Sequence, residues 1–319
     1  MTRPLPLFLD CDTGIDDAVA IAYLLASPGV RLVGVGTVGG NTNARQGAIN
    51  TLGLLALGGV RDVPVAIGAA DWLTAPFDGG SPAVHGANGV GDVSLPVSEL
   101  SPVAESAVDL LLRLSHEHAG ELALLAIGPL TNIALALEKD PTLVERIASV
   151  TVMGGAALVP GNVTPVAEAN IWHDPEAAQA VVAADWDVTL VPLDVTMENV
   201  MDEEHRARML ASASPLAAAV GRTLDHYFDF YQPIYGRRCS ALHDPLAAAI
   251  AVGEIRAEVA PAVPVVVDTT NGPGRGQTIA DLRAQRSGTH DRPGCRTRVV
   301  LATDRPLAEH MIERIVSGA

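Results

Sequence analysis

Short apolar runs alternate with segments whose apolar positions recur at helical spacing, and the alternation begins at the N-terminus. Residues 5–9 are apolar throughout, as in a strand buried on both faces, and 16–26 carries the three-to-four-residue repeat of a helix. Further strands are predicted at 31–35, 63–67, 122–127, 149–153 and 187–192, with helices at 44–57, 103–118, 131–137 and 175–184. The expected fold class is α/β: an open, mostly parallel central sheet with helices on both faces. Ligands of such sheets bind beyond the carboxyl ends of the strands, so the residues just after each strand bear on function.

Three stretches break the rhythm. Residues 69–102 are rich in Gly, Pro and Ser and contain His85; 154–174 is a polar insert directly after a strand; 197–236 is helical and carries Tyr227, Tyr231 and Tyr235. Long inserts on the strand-end side shape sites. No repeat, low-complexity tract or linker divides the chain, so one domain over 1–319 is the simplest organisation.

Composition narrows the partners. Hydrophobic residues are 48% of the 319 and aromatics only 3%, so Ala, Val, Leu and Ile must fill the core. A formal charge of −16 repels phosphates, which argues against nucleic acid and anionic membranes and leaves an uncharged small molecule or a bound cation. Three cysteines without CxxC spacing suggest neither a disulfide framework nor a zinc site. The apolar run ending at Asp10 is too short for a signal peptide, and no stretch has transmembrane length; a cytoplasmic protein is expected.

The chemistry concentrates in Asp10-Cys11-Asp12-Thr13-Gly14-Ile15-Asp16-Asp17, four carboxylates within eight residues after the first strand. Asp10 and Asp12 share a strand parity and can project the same way, while Asp16 and Asp17 fall in the first turn of the next helix. Helix capping accounts for one or two of these acids. Four repel one another unless a proton or cation offsets them, and oxygen-only ligands select a hard ion, Ca²⁺ or Mg²⁺. A phosphatase of the haloacid-dehalogenase class is the rival, with Asp10 as nucleophile and Mg²⁺ as the ion. The order Thr13-Gly14 is reversed from that pattern, however, and the only lysine, Lys139 in Glu138-Lys139-Asp140, reads as an exposed helix end.

The run Asp10–Ala18 resembles the N-terminal signature of the inosine-uridine-preferring nucleoside hydrolase family. Further blocks similar to that family follow in order: Val38-Gly39-Gly40-Asn41, Val84-His85-Gly86, Ala126–Asn132, Met153-Gly154-Gly155 with Gly161–Asn170, Asp174–Ala178, Leu242–Pro245 and Arg275–Thr278. The resemblance implies Ca²⁺, a ribonucleoside substrate cleaved to ribose and free base, and a homodimer or homotetramer. By matching motif it implies Asp12, Asp17 and Asp244 as carboxylate ligands, the Thr131 backbone carbonyl as a further ligand, and Asp10 as a structural acid behind them. It also implies Asp16, Asn41, Asn162, Glu168 and Asn170 as ribose contacts.

Loss of a base from ribose passes through an oxocarbenium-like centre that needs an activated water, stabilisation of the cationic sugar and help for the leaving group. Asp12 is the candidate general base. His243, beside a ligand acid and able to titrate near neutrality, is the candidate for protonating the base, and His85 is the second. Tyr227 and Tyr231, four apart on one helix face, are candidates for the base pocket, along with both histidines. Trp72, Trp172 and Trp186 fall at no recognisable stacking position, which favours a broad or pyrimidine-tolerant enzyme. A catalytically inactive nucleoside binder of the same fold is the other alternative. Gly34-Val35-Gly36-Thr37-Val38-Gly39 matches GxGxxG by letter, but Thr37-Val38 reads as continuing strand, against dinucleotide binding.

Overall fold

The N-terminal apolar run becomes β1 (Leu5–Cys11), buried at every position after its first. In this computed structural model, which describes residues 3–283, 285 and 288–318, β1 lies inside a seven-stranded sheet. On one side of it stand β2 (Val30–Thr37) and β3 (Val65–Ile67); on the other stand β4 (Leu122–Ala126), β5 (Ile147–Met153), β6 (Val188–Val191) and an edge strand, Thr297–Val299. Every pairing in the sheet is parallel and the sheet is open. The edge strand went unpredicted because Thr-Arg-Val is too short to show a period.

Both faces are covered, as the uninterrupted apolar runs require. The α-helices of the described residues, in chain order, are α1 (Ile15–Leu25), α2 (Ala44–Leu57), the short α3 (Pro82–His85), α4 (Ala107–Glu117), α5 (Thr131–Lys139), α6 (Ala169–His173), α7 (Pro175–Ala183), α8 (Leu193–Thr196), α9 (Glu203–Leu210), α10 (Pro215–Tyr235), α11 (His243–Ala251) and α12 (Ala308–Ser317). Leu7, Leu9 and Cys11 pack in one core with Ile15, Leu224 and Leu246. Phe8, of opposite parity, packs in the other with Leu110, Leu114 and Ile133. Among the described residues no helix is long and apolar enough to cross a membrane.

The GxGxxG-like run is strand through Thr37, as expected. Its glycines serve packing: a Cβ on Gly34 would lie 2.5 Å from Leu114 Cδ1, and one on Gly36 would lie 2.7 Å from Asp10 Oδ1 and 2.9 Å from Ala107 Cβ. They let α4 approach β2 closely. The chain order reverses beside β1, which pairs with β2 on one edge and β4 on the other. Such a switch leaves a crevice at the strands' carboxyl ends. The acidic run sits there.

Candidate active site

Strand β1 ends at Cys11, so the parity expected to align Asp10 with Asp12 stops one residue short. Asp10 points into the α5 side, where Asn132 Nδ2 donates to its Oδ1 at 2.8 Å. Asp12 lies in the turn beyond, where the Asn41 N–H donates to its Oδ2 at 2.6 Å and Asn41 Nδ2 to its Oδ1 at 3.2 Å. Gly14 is the N-cap of α1, and Asp17 reaches back to accept from the Gly14 N–H at 2.7 Å. Capping thus explains part of Asp17 but neither Asp16 nor Asp12.

The closest carboxylates are Asp16, Asp17 and Asp244, which offer oxygens all within 4.8 Å of one another. Asp244, from the first turn of α11, joins acids more than 220 residues earlier in the chain, roughly as the metal-sharing expectation required. Asp12 stands outside that trio yet presses on it. Burial, then repulsion from Asp17, holds Asp12 well above the usual carboxylate range. Burial and Asp16 push Asp17 up to about 7, and the same two causes raise Asp244 strongly. No lysine or arginine is among the described residues lining the cavity here. Asp16 Oδ1 and Asp244 Oδ2 are buried without a hydrogen-bond partner. Oxygen donors only, orphaned oxygens and uncompensated charge together fit a hard divalent cation.

The acids open onto a cavity of about 360 Å³ whose wall includes Asp16, Asn41, Glu168, Asn170 and Asp244. Asp12 and Asp17 are fully buried behind that wall. Glu168 caps α6, accepting from the N–H groups of Gly155, Asn170 and Ile171, and burial still pushes its pKa up to about 7. Asn170 Nδ2 donates to the Ile127 and Met153 carbonyls at 3.1 and 3.2 Å, fixing it between β4 and β5. Asn162 is exposed on the same wall, its Oδ1 accepting from the Ala169 N–H at 3.0 Å.

Aromatic side chains of α10 complete the cavity. Tyr231 Oη lies 2.6 Å from His243 Nε2, and His243 Nδ1 lies 2.8 Å from Thr196 Oγ1. Burial lowers the His243 pKa to about 4, so the ring is neutral at pH 7, which corrects the expectation that it titrates near neutrality. Tyr227 donates its O–H to Asp16 Oδ2 at 2.9 Å, so its hydroxyl belongs to the acid cluster. His85 Nδ1 accepts from the Ile15 N–H at 3.1 Å; the ring caps α1, and burial lowers its pKa too.

Thr131 is not brought to the cavity. It opens α5, its hydroxyl donates to Asp174 at 2.7 Å, and a carbonyl inside a helix points along the axis to the N–H four residues on. Ile127, just beyond β4, lines the cavity instead. Sequence reasoning also missed Thr196 and the apolar lining of Met197, Phe230 and Ile234, which carry no motif. Trp72 is buried, its indole N–H donating to the Gly39 carbonyl, and no tryptophan is among the described lining residues. Asp10 is fully buried with its Oδ1 taken by the Asn132 amide, which does not favour it as the nucleophile of a phosphatase.

Gly40 packs directly on Asp12: an added Cβ would collide with its carboxylate and stand 2.8 Å from Pro129 Cδ. Gly40→Ala is expected to displace Asp12 and to destabilise by about 1–3 kcal/mol through overpacking. Thermal melting and kcat of the purified variant check this; unchanged values for both would contradict it.

Residues 7–309 match the sequence profile of the family described as "Inosine-uridine preferring nucleoside hydrolase". The chain is 34% identical over 306 residues to the inosine-uridine preferring nucleoside hydrolase of Leishmania major, covering 94% of each. It is 39% identical over 250 residues to a pyrimidine-specific ribonucleoside hydrolase of Shewanella woodyi, covering 78% of this chain and 79% of that one. Its fold superimposes on a purine-preferring ribonucleoside hydrolase from Gardnerella vaginalis with a TM-score of 0.88 and 33% identity, covering 98% of both.

Proposed function

The chain belongs to the inosine-uridine preferring nucleoside hydrolase family, and we propose that it is a Ca²⁺-dependent hydrolase of ribonucleosides with broad or pyrimidine-tolerant base choice. The family places it among enzymes that hydrolyse N-glycosidic bonds of ribonucleosides. One observation carries the reading: buried, uncompensated acids share a cavity with amide side chains and a tyrosine–histidine pair.

Asp12, Asp17 and Asp244 would hold the ion, with Asp16 close enough to join them. The Ile127 carbonyl is a better candidate than that of Thr131 for a backbone ligand, since it lies at the end of β4 on the cavity wall. Bound there, calcium would hold the ribose diol and make an attacking water easier to deprotonate. Asp12 takes that water's proton as its oxygen adds to C1′ and the bond to the base breaks. Asn41, Glu168, Asn170 and Asn162 orient the sugar hydroxyls, and the carboxylates of Asp16 and Glu168 favour positive charge on the ribosyl centre. The departing base gathers negative charge, which a hydrogen bond from the Tyr231–His243 pair offsets.

The relatives named above include both purine- and pyrimidine-directed enzymes. With phenylalanine and tyrosine rather than tryptophan in the lining, we favour a base held loosely enough to admit uridine. Reducing-sugar release from uridine, cytidine, inosine and adenosine in the presence of Ca²⁺ tests this. Ribose release with the highest kcat/KM on uridine or inosine is expected. A tight nucleoside complex without release would identify a binder instead.

A further inference from the structure

His243 sits at the junction of three elements, and each fastens it. It opens α11, its Nε2 meets Tyr231 of α10 at 2.6 Å, and its Nδ1 meets Thr196, the last residue of α8, at 2.8 Å. Thr196 is fully buried, and among the described residues the only partner of its hydroxyl is that ring nitrogen. The adjoining Met197 is held as well: Tyr235 Oη donates to its carbonyl at 2.8 Å, tying the end of α8 to the helix that carries Tyr231. A threonine side chain is stiff at χ1, so its hydroxyl is a fixed post rather than a swinging one. A neutral imidazole has one donor and one acceptor nitrogen, so a Thr196 hydroxyl that donates to Nδ1 leaves Nε2–H to donate to Tyr231 Oη and the Tyr231 O–H free for another acceptor.

We propose that Thr196 is a positioning residue for base departure: its hydroxyl, donating to Nδ1, holds the plane of His243, and His243 in turn aims the Tyr231 hydroxyl at the leaving base. The inference rests on the role given above to the Tyr231–His243 pair. Packing alone does not account for the hydroxyl, because valine fills the same volume. Valine would, however, leave a buried ring nitrogen unpaired, and an unpaired polar atom in that position turns the ring or admits water.

The experiment compares two leaving groups. A uracil or hypoxanthine base needs help to depart, whereas p-nitrophenolate leaves as a stabilised anion without it. Thr196→Val is expected to lower kcat on uridine or inosine about 10- to 100-fold with KM nearly unchanged, and to leave kcat on p-nitrophenyl riboside close to wild type. Thr196→Ser should restore the wild-type ratio of the two rates, and Thr196→Ala provides a second hydroxyl-free variant should valine disturb folding. Equal loss on both substrates, or no loss on either, in the hydroxyl-free variants overturns the proposal. His243→Ala is measured in parallel. If it shifts the ratio and the Thr196 variants do not, only the part assigned to Thr196 falls; if it leaves the ratio unchanged, the reading of the pair falls with it.

Discussion

Replacing Asp12 with Ala is expected to lower kcat by roughly 10³-fold or more while the protein remains folded. Two losses combine. The attacking water loses its proton acceptor, which alone is worth about 10²–10⁴ in rate. The cation also loses one of the carboxylates that offset its charge, which weakens its hold on the sugar. Stability is pulled both ways, because Asp12 is a buried acid repelled by Asp17 that also anchors the Asn41 N–H. Removing it relieves that repulsion but orphans the Asn41 N–H, now 2.6 Å from Asp12 Oδ2, at about 1–3 kcal/mol. Asp12→Asn keeps an oxygen for that N–H and separates the two effects. Both variants should be nearly inactive with saturating Ca²⁺, and the asparagine form should melt at or above the wild-type temperature when metal-free. Wild-type turnover in either variant would take Asp12 out of the mechanism.

The parts of this site legible in the sequence were those with a local cause. Four acids within eight residues after an apolar strand announce a charge problem wherever the chain goes. The helix starts at Ala44 and Pro175 fell where capping residues Asn43 and Asp174 put them. What depended on distant packing was not legible. That Tyr227 would spend its hydroxyl on Asp16, 211 positions away, follows from how α10 lies over α1. The turn from Ala126 to Thr131 reads as one block, and only the point where α5 begins decides that Ile127, not Thr131, faces the cavity. Burial decides the charge state of His243: nothing in Leu-His-Asp-Pro tells that both its nitrogens are occupied and its ring kept dry.

Chelation should abolish activity and lower Tm, and the loss of Tm should grow with pH. The folded pKa values of Asp17 and Glu168, about 7, stand above their ordinary values of 3.8 and 4.5, and burial and neighbouring acids raise those of Asp12 and Asp244 well above the usual carboxylate range. Without metal, the folded state therefore binds more protons than the unfolded chain, and its stability falls as pH rises through about 7. The buried histidines work the other way. With folded values below 6.5, His85, His173 and His243 add stability as pH rises, but only up to about 6.5. The comparison thus belongs between about pH 6.5 and pH 8.5, where each of these histidines adds only about 0.4 kcal/mol more and the acids still titrate. Across these two units an acid with a folded pKa of about 7 costs the metal-free fold about 0.8 kcal/mol, and one that stays protonated throughout costs up to about 2.7 kcal/mol. On the proposed reading calcium would take the place of the protons, so its affinity and its stabilisation should rise over the same range. At 100-fold excess over Kd it contributes about 2.7 kcal/mol, or roughly 4 °C in Tm for a chain of this size. Melting curves with EDTA and with Ca²⁺ at both pH values, with metal content checked by elemental analysis, decide the matter. Equal Tm with and without calcium at the higher pH, or a metal-free protein that grows more stable across the window, would mean that these acids bind no ion.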